Sequence, residues 1–416
     1  MKINQFISAI LLGAIMFGSA QAQIVATPKK VVGYLPTWIG SFPTYLTDNN
    51  IDLSVLTHID IAFVNPDETG AIAVPEGLST IIATAHGKNV KVLLSIGGAG
   101  APTAEYKAIF SNPTVMATFV DNLSNAVTEN NLDGIDVDIE GDLLDGKTIT
   151  AAQYQTFVTN LGSALRAKNK LMTAALASWF VRYVTNTAAQ QFDFIGLMSY
   201  DATGSWTGPG AHSPYSLMVS DFSTWKAKVT SPDKLVLGVP FYGYGWGENA
   251  GSYSYAQIMD AFPGAELVDQ QSSGANLISY NGIPTMKKKA DYAKANAGGI
   301  MIWELSQDVN GANSLLKVIG DVFGRNGAAA VLKKSNSNGS LVIQQNLGNS
   351  LTYTLPKTFN NTSLITITNA LGVVEMSQIS GAPAGTLNTQ NLGAGLHFFK
   401  ATSGNQLNVQ SFVISH

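Results

Sequence analysis

The chain has 416 residues, 45% of them hydrophobic and 12% charged, with a formal net charge of −4 and no cysteine. Such a charge balance supplies neither a basic field for nucleic acid nor a polybasic patch for a membrane surface, and the missing thiols exclude disulfides and thiolate chemistry. A chain this long can bury a large core and divide into two or three domains.

At the N-terminus, Lys2, the apolar run Phe6 to Gly18 and then Ala20-Gln21-Ala22 have the three regions of a secretory signal, so residues 1–22 are expected to be removed after Ala22. The run is short for a bilayer span and nothing later reaches about 20 continuous apolar residues, so no membrane insertion is expected and the mature protein reads as exported. From there, eight short apolar segments recur: Val31 to Leu35, Thr57 to Val64, Val90 to Ser95, Gly134 to Glu140, Leu171 to Ala177, Phe192 to Met198, Leu235 to Val239 and Gly299 to Trp303. Helical patterns such as Thr114 to Glu129, Ala151 to Ala167 and Thr285 to Ala297 fall between them. Eight alternating units predict an α/β fold, a (β/α)8 TIM barrel over 23–325. A doubly wound open sheet is the competitor, but no Gly-rich dinucleotide fingerprint follows the first strand.

The fourth segment carries the chemistry. From Ile135 to Glu140 apolar and acidic residues alternate, so on a strand Asp136, Asp138 and Glu140 share one face. Carboxylates this close cannot all ionise away from bulk water, and at least one must hold its proton at neutral pH. The plainer readings are a wet exposed strand, or a calcium loop. Against the loop, Lys147 stands where the twelfth-position glutamate belongs and large aliphatics fill the gaps, so no metal is expected. Asp133 is out of phase with the other acids and reads as a structural hydrogen-bonder. His58, beside Asp60 on the second strand, reads as a satisfied core histidine.

A barrel's function sits at the C-terminal ends of its strands. Five of the six tryptophans follow or end a strand there: Trp38, Trp179, Trp206, Trp246 and Trp303. One such ring is most simply packing, whereas several on one rim suit the apolar faces of sugar rings. After about Phe323 the composition turns to Asn, Ser, Thr and Gly, tryptophan vanishes, and short strands such as Leu351 to Leu355, Leu364 to Thr368 and Leu396 to Ala401 appear. Residues 326–340 read as a linker and 341–416 as a small β-sandwich.

Asp133-x-x-Asp136-x-Asp138-x-Glu140 resembles the DxxDxDxE signature of family 18 glycoside hydrolases, the chitinases and their relatives. Ser95-Ile96-Gly97-Gly98 resembles the family's SxGG element, Met198-Ser199-Tyr200-Asp201 its MxYD element, and Trp303 the tryptophan ending its last strand, all in the family's order. With Gly33-Tyr34 on the first strand, the match covers roughly Val31 to Val322. Residues two apart on one strand approach a substrate from the same side, whereas an ordinary retaining pair flanks the scissile bond from opposite sides. If Glu140 is the acid, another nucleophile is needed, and the substrate's own 2-acetamido carbonyl can serve; family 18 is a known substrate-assisted exception to the two-carboxylate rule.

The resemblance implies that Glu140 protonates the glycosidic oxygen and then activates water, while Asp138 orients the acetamido group and stabilises the oxazolinium intermediate. It implies that Asp136 shares a proton with Asp138, that Tyr34 and Ser95 offer hydroxyls to Asp136, and that Tyr200 hydrogen-bonds the acetamido oxygen. Trp303 would floor the bound sugar, with Met198 and Asp201 lining the pocket and Trp206 and Trp246 on the rim. Gly97 and Gly98 read as close-packing or turn positions rather than substrate contacts. No cofactor is called for.

One departure from the family concerns the α+β insertion that many members carry after strand seven. Gly247 to Pro284 must hold what replaces it, and its Gly, Ser and Asn content predicts a shallower, open groove suited to endo action. The C-terminal region, with Ser363 to Gly372, Leu392 to Leu396 and a last strand, resembles sorting domains of type IX secretion, which implies the secretion machinery as a partner. A carbohydrate-binding sandwich is the alternative, and the lack of tryptophan there argues against it. The expected activity is endo-hydrolysis of β-1,4-linked N-acetylglucosamine polymers. The alternatives are an endo-β-N-acetylglucosaminidase acting on N-linked glycans and an inactive chitin-binding lectin, the latter disfavoured because Glu140 is present.

Overall fold

The computed structural model describes residues 28–273, 276–325, 341–346, 350–356, 358–359, 362–369, 373–393, 395–403 and 406–414. The proposed leader at 1–22 and the linker at 326–340 lie outside them. The chain divides into two compact units, Met1–Asn326 and Gly327–His416.

In the first unit eight parallel strands close a barrel. They are β1 (Lys30–Pro36), β2 (His58–Ala62), β3 (Lys91–Gly97), β4 (Gly134–Asp138), β5 (Leu171–Leu176), β6 (Phe194–Leu197), β7 (Leu235–Pro240) and β12 (Gly299–Trp303), each beside the next in the chain, with β12 returning to β1. Helices on the outside and side chains within cover both faces of every strand. That is why β2, β4, β6 and β7 are buried along their whole lengths, β6 and β7 as near-continuous apolar runs and β2 and β4 with acids turned into the barrel. The helices start on local signals. Asn112 accepts hydrogen bonds from the Thr114 and Val115 amides at the head of Pro113–Glu129, and Thr150 with Gln153 forms a capping box on Ala151–Ala167.

Asp133 has the structural place expected of it. Its Oδ2 accepts the Val92 amide and lies 2.8 Å from His86 Nε2, at the end of β4 opposite the catalytic rim. His58 is 7% exposed, with Nδ1 2.7 Å from Thr57 Oγ1 and its ring edge-on to Phe194. Burial first, then Lys91 and Lys30, push it down to about 3, so the imidazole is neutral.

The register sets the inward face. Tyr34 pairs with Asp60, Ser95 with Asp136, and Asp136 with Thr173, so five successive strands each bring one polar side chain to neighbouring levels inside the barrel.

The reading of Gly247 to Pro284 as an open replacement needs correction. β8 (Tyr242–Trp246), β9 (Gly251–Ser254), the helix Tyr255–Ala261, β10 (Gln270–Ser273) and β11 (Asn276–Ser279) form a compact α+β insertion, its antiparallel sheet ordered β10-β11-β8-β9. The polar sequences of β10 and β11 concealed these strands because an antiparallel sheet with one solvated face does not require an apolar run.

The second unit holds two antiparallel sheets. One contains β13 (Val342–Asn346), β14 (Ser350–Thr354) and β17 (Ala384–Asn388); the other is ordered β16 (Val374–Ser380), β15 (Ser363–Asn369), β18 (Gly395–Ser403) and β19 (Gln406–Ile414). Leu351, Tyr353 and Leu387 from the first share a core with Ile365, Ile367, Phe399 and Phe412 from the second. Along β15 the isoleucines face this core while Leu364 stands 45% exposed, the alternation of a one-sided sheet.

Candidate active site

A cavity of about 530 Å³ opens where the barrel strands end, with Asp138, Glu140, Met198, Tyr200, Asp201 and Trp303 in its wall. Tyr34, Ser95 and Asp136 lie deeper, each under 3% exposed. Asp136 accepts three hydroxyl hydrogen bonds, from Tyr34 at 2.7 Å and Ser95 at 2.8 Å on Oδ2 and from Thr173 at 2.6 Å on Oδ1. Tyr34 and Ser95 therefore touch Asp136 and stand outside the cavity wall, as the hydroxyl donors that the resemblance implies rather than as contacts for substrate.

Those donors decide where the proton resides. Burial raises Asp136 above the ordinary carboxylate range, but the three hydroxyls oppose it by stabilising the anion. Asp138 has no such support. It is 2% exposed, its Oδ1 lacks a hydrogen-bond partner, and burial followed by the charges of Glu140, Asp136 and Asp60 pushes it well above the usual range. The three donors thus favour the anion on Asp136, and burial among acids favours the proton on Asp138, from which it can be donated to an acceptor in the cavity.

Glu140 follows the end of β4 and is raised to about 7, by burial first and then by Asp201. A carboxyl group titrating there is protonated at mildly acidic pH and can act as a general acid. The sign fixes the basic side of the rate profile: Glu140 carries its proton below about 7 and loses it above. Turnover is expected to fall about tenfold per unit above that point. Measuring kcat between pH 5 and 9 checks this; a plateau through pH 9 would dissociate Glu140 from proton donation.

Trp303 stacks on Phe63, with centroids 5.6 Å apart at 21°, and leans on Tyr34 at 5.2 Å. Phe63 in turn lies 6.2 Å from Trp38, which is 63% exposed and also lines the cavity. This makes a continuous aromatic surface suited to sugar rings. Gly97 and Gly98 lie at φ +106° and +81°. A Cβ on the first would stand 2.0 Å from the Asp138 carbonyl oxygen, and on the second 2.4 Å from the Phe63 ring, so the glycines let β3 approach the acid and the platform.

The two rim tryptophans diverge. Trp206 is 60% exposed and edge-on to Tyr244, a cavity residue, at 5.3 Å. Trp246 is 8% exposed, and its indole N–H donates to the carbonyls of Gly204 and Thr207. Its assignment to substrate is corrected: it is a buried pin for the loop after β6. Trp246→Ala is expected to lower stability by about 3 kcal/mol, the cost of deleting a buried aromatic ring. Thermal unfolding of the purified variant reads this; an unchanged melting temperature would return Trp246 to the surface.

Several residues of the cavity wall and of the layer beneath it were missed from sequence. Asp60, inward on β2, had an acid's identity but no motif around it. Thr173 looked like an ordinary strand residue. Tyr242 and Tyr244 stand two apart directly after the Val239-Pro240 end of β7, a spacing that places both on one face and could have been noticed. Asn65 holds Gly97 through both its amide atoms. Among the described residues no cluster of His, Cys, Asp or Glu could hold a metal ion.

A closed parallel barrel with a stack of buried acids, ending in a glutamate of raised pKa beside an aromatic platform, has the architecture of a hydrolase acting on glycosidic bonds. The chain belongs to Glycosyl hydrolases family 18, whose sequence profile matches residues 30–308. The fold is similar to that of the chitinase ChiB from the chitin utilization locus of Flavobacterium johnsoniae, with 35% identity, a TM-score of 0.63, and coverage of 72% of this chain and 94% of that one. It is also similar to a chitinase from Bacteroides thetaiotaomicron, at 30% identity, a TM-score of 0.63, and coverage of 72% and 98%. A class V chitinase of Arabidopsis thaliana is 30% identical over 282 residues, 59% of this chain and 70% of its own length.

Proposed function

We propose that this hydrolase cleaves β-1,4 linkages between N-acetylglucosamine units of chitin by substrate-assisted catalysis that retains the anomeric configuration. The observation carrying the mechanism is the disposition of the carboxyl groups. Among the described residues lining the cavity they are Asp138, Glu140 and Asp201. The first two approach from one strand, and the third already accepts the Tyr242 hydroxyl at 2.5 Å. None is a free nucleophile facing Glu140 across a sugar, so the acetamido carbonyl fills that role. Asp138 supplies the proton that orients the acetamido group, and Tyr200, whose hydroxyl has only a 3.8 Å contact to Met301 Sδ, is free to donate to its oxygen.

The chitinases among the relatives and solved structures support chitin as the substrate. Cleavage of N-linked glycan cores uses the same acidic strand, and the two are separated by incubating the enzyme with chitin hexasaccharide beside a high-mannose glycoprotein and weighing the products. Shorter N-acetylglucosamine oligomers are expected; deglycosylated protein with intact hexasaccharide would reassign the substrate.

For the second unit the reading is destination: export through the leader and passage to the outside on a C-terminal sorting domain. It rests on the sequence resemblance and on the absence of any tryptophan after Trp303. Truncation near Ser337 is expected to leave activity on soluble oligosaccharides within about twofold while the enzyme stays in the periplasm of its host, because every assigned catalytic group belongs to the barrel. Loss of binding to insoluble chitin with export intact would make the unit a substrate-binding module.

A further inference from the structure

His212 is fully buried behind the cavity wall, in the segment between β6 and the helix Tyr215–Lys226. Its Nε2 lies 3.1 Å from the Tyr242 carbonyl oxygen. A carbonyl can only accept, so Nε2 carries a hydrogen. The other ring nitrogen, Nδ1, faces Asp201 Oδ1 at 3.5 Å, near enough for ion pairing though long for a hydrogen bond, and has no other polar partner. A neutral ring protonated on Nε2 would turn the lone pair of a fully buried nitrogen toward a carboxylate oxygen, setting two acceptors against each other. One additional proton between them removes that conflict, whether it resides on Nδ1 or on Oδ1.

The imidazole also packs on the groups that hold Asp201 from the cavity side. Tyr242, the hydroxyl donor to Asp201, has its ring centroid 5.1 Å away, and Tyr244 stands edge-on at 5.3 Å. The Ala202 amide donates to the His212 carbonyl at 2.9 Å, tying the residue after Asp201 to the same segment. His212 thus touches three cavity residues without entering the cavity.

We propose that His212 is a positioning residue of the reaction: it holds one proton jointly with Asp201, and so fixes that carboxylate and limits the negative charge that Asp201 presents to Glu140. The charged or titratable groups facing the ring are Asp201 from the end of β6 and Tyr242 and Tyr244 from β8. Lys289, from the helix Ile283–Asn296, bonds the carbonyl and hydroxyl of the adjacent Ser213 and the Asn281 side-chain oxygen, each at 2.6 Å. Asp221 and Asp269 act on that lysine. The effect on Glu140 follows from sign. With the shared proton lost, Asp201 presents its full charge and Glu140 binds its own proton more tightly.

The inference rests on Glu140 being the acid, and its test has one readout independent of that. In the full chain, His212→Asn keeps a donor for the Tyr242 carbonyl without the ring's charge, and His212→Phe keeps the ring without polarity; circular dichroism confirms that each is folded. Turnover of a soluble chitin oligosaccharide is expected to fall about tenfold with KM changed less than about twofold. The basic limb of kcat is expected to move up by roughly half to one pH unit. A merely structural histidine would lower activity without moving the limb, and an unmoved limb in either folded variant overturns the proposal. Independently, nitrogen NMR of histidine-labelled wild-type protein is expected to show Nδ1 of His212 protonated or strongly hydrogen-bonded at pH 6. A bare acceptor nitrogen from pH 5 to 8 overturns the proposal even if both variants fail to fold, and wild-type turnover in Glu140→Gln would remove the acid assignment while leaving this NMR result to decide the shared proton.

Discussion

Glu140→Gln is expected to lower turnover of chitin oligosaccharides by at least about 10²-fold, the lower end of what a positioned general acid contributes. The amide keeps the size and polarity of the side chain but has no proton to give to the leaving oxygen. KM is expected to change little, because Trp38, Trp303 and Phe63, which form the aromatic surface, are untouched. Steady-state kinetics with binding followed by tryptophan fluorescence separates the two quantities. Wild-type turnover in the purified variant would remove Glu140 from the mechanism.

Asp138→Asn is expected to cost a similar factor, about 10² in kcat, for a different reason. Asp138 lies behind Glu140 with an unpartnered oxygen and three acids around it, so its protonation state responds to what enters the cavity. An asparagine can still orient the acetamido group through its NH2, but it cannot become an anion as positive charge develops on the substrate. Ground-state binding is therefore expected to survive within about threefold while turnover falls. A variant that loses binding and keeps kcat would make Asp138 a contact for substrate alone.

The acidic strand and the barrel were legible because both depend on chain-local pattern. All eight barrel strands fall within the apolar segments expected, to within two residues at their ends, because the face of each strand that meets the helices must be apolar and short Val-, Ile- and Leu-rich segments stand out from the chain around them. The shared face of Asp136, Asp138 and Glu140 was legible from alternation, whereas the roles proposed for them come from resemblance. The rest of the site depends on closure of the barrel, which no local window contains. Thr173 and Asp60 matter only because β5 and β2 place them near Asp136, and Tyr242 and Tyr244 only because the insertion folds back onto the Asp201 side. Trp246 shows the opposite failure. Its position after a barrel strand resembles that of Trp206, yet the neighbouring antiparallel sheet turns its ring inward and gives its N–H two carbonyls.

Substrate-assisted catalysis is the central claim, and it makes the 2-acetamido group a reactant rather than a handle. The direct test gives the wild-type enzyme three hexamers of the same β-1,4 linkage, built from N-acetylglucosamine, glucosamine and glucose, and compares initial rates by mass spectrometry. Only the first is predicted to be cleaved at a measurable rate, because no carboxylate among the described residues lining the cavity is placed to replace the missing carbonyl. Hydrolysis of the glucose hexamer at a comparable rate would show that a protein nucleophile acts and would contradict the account.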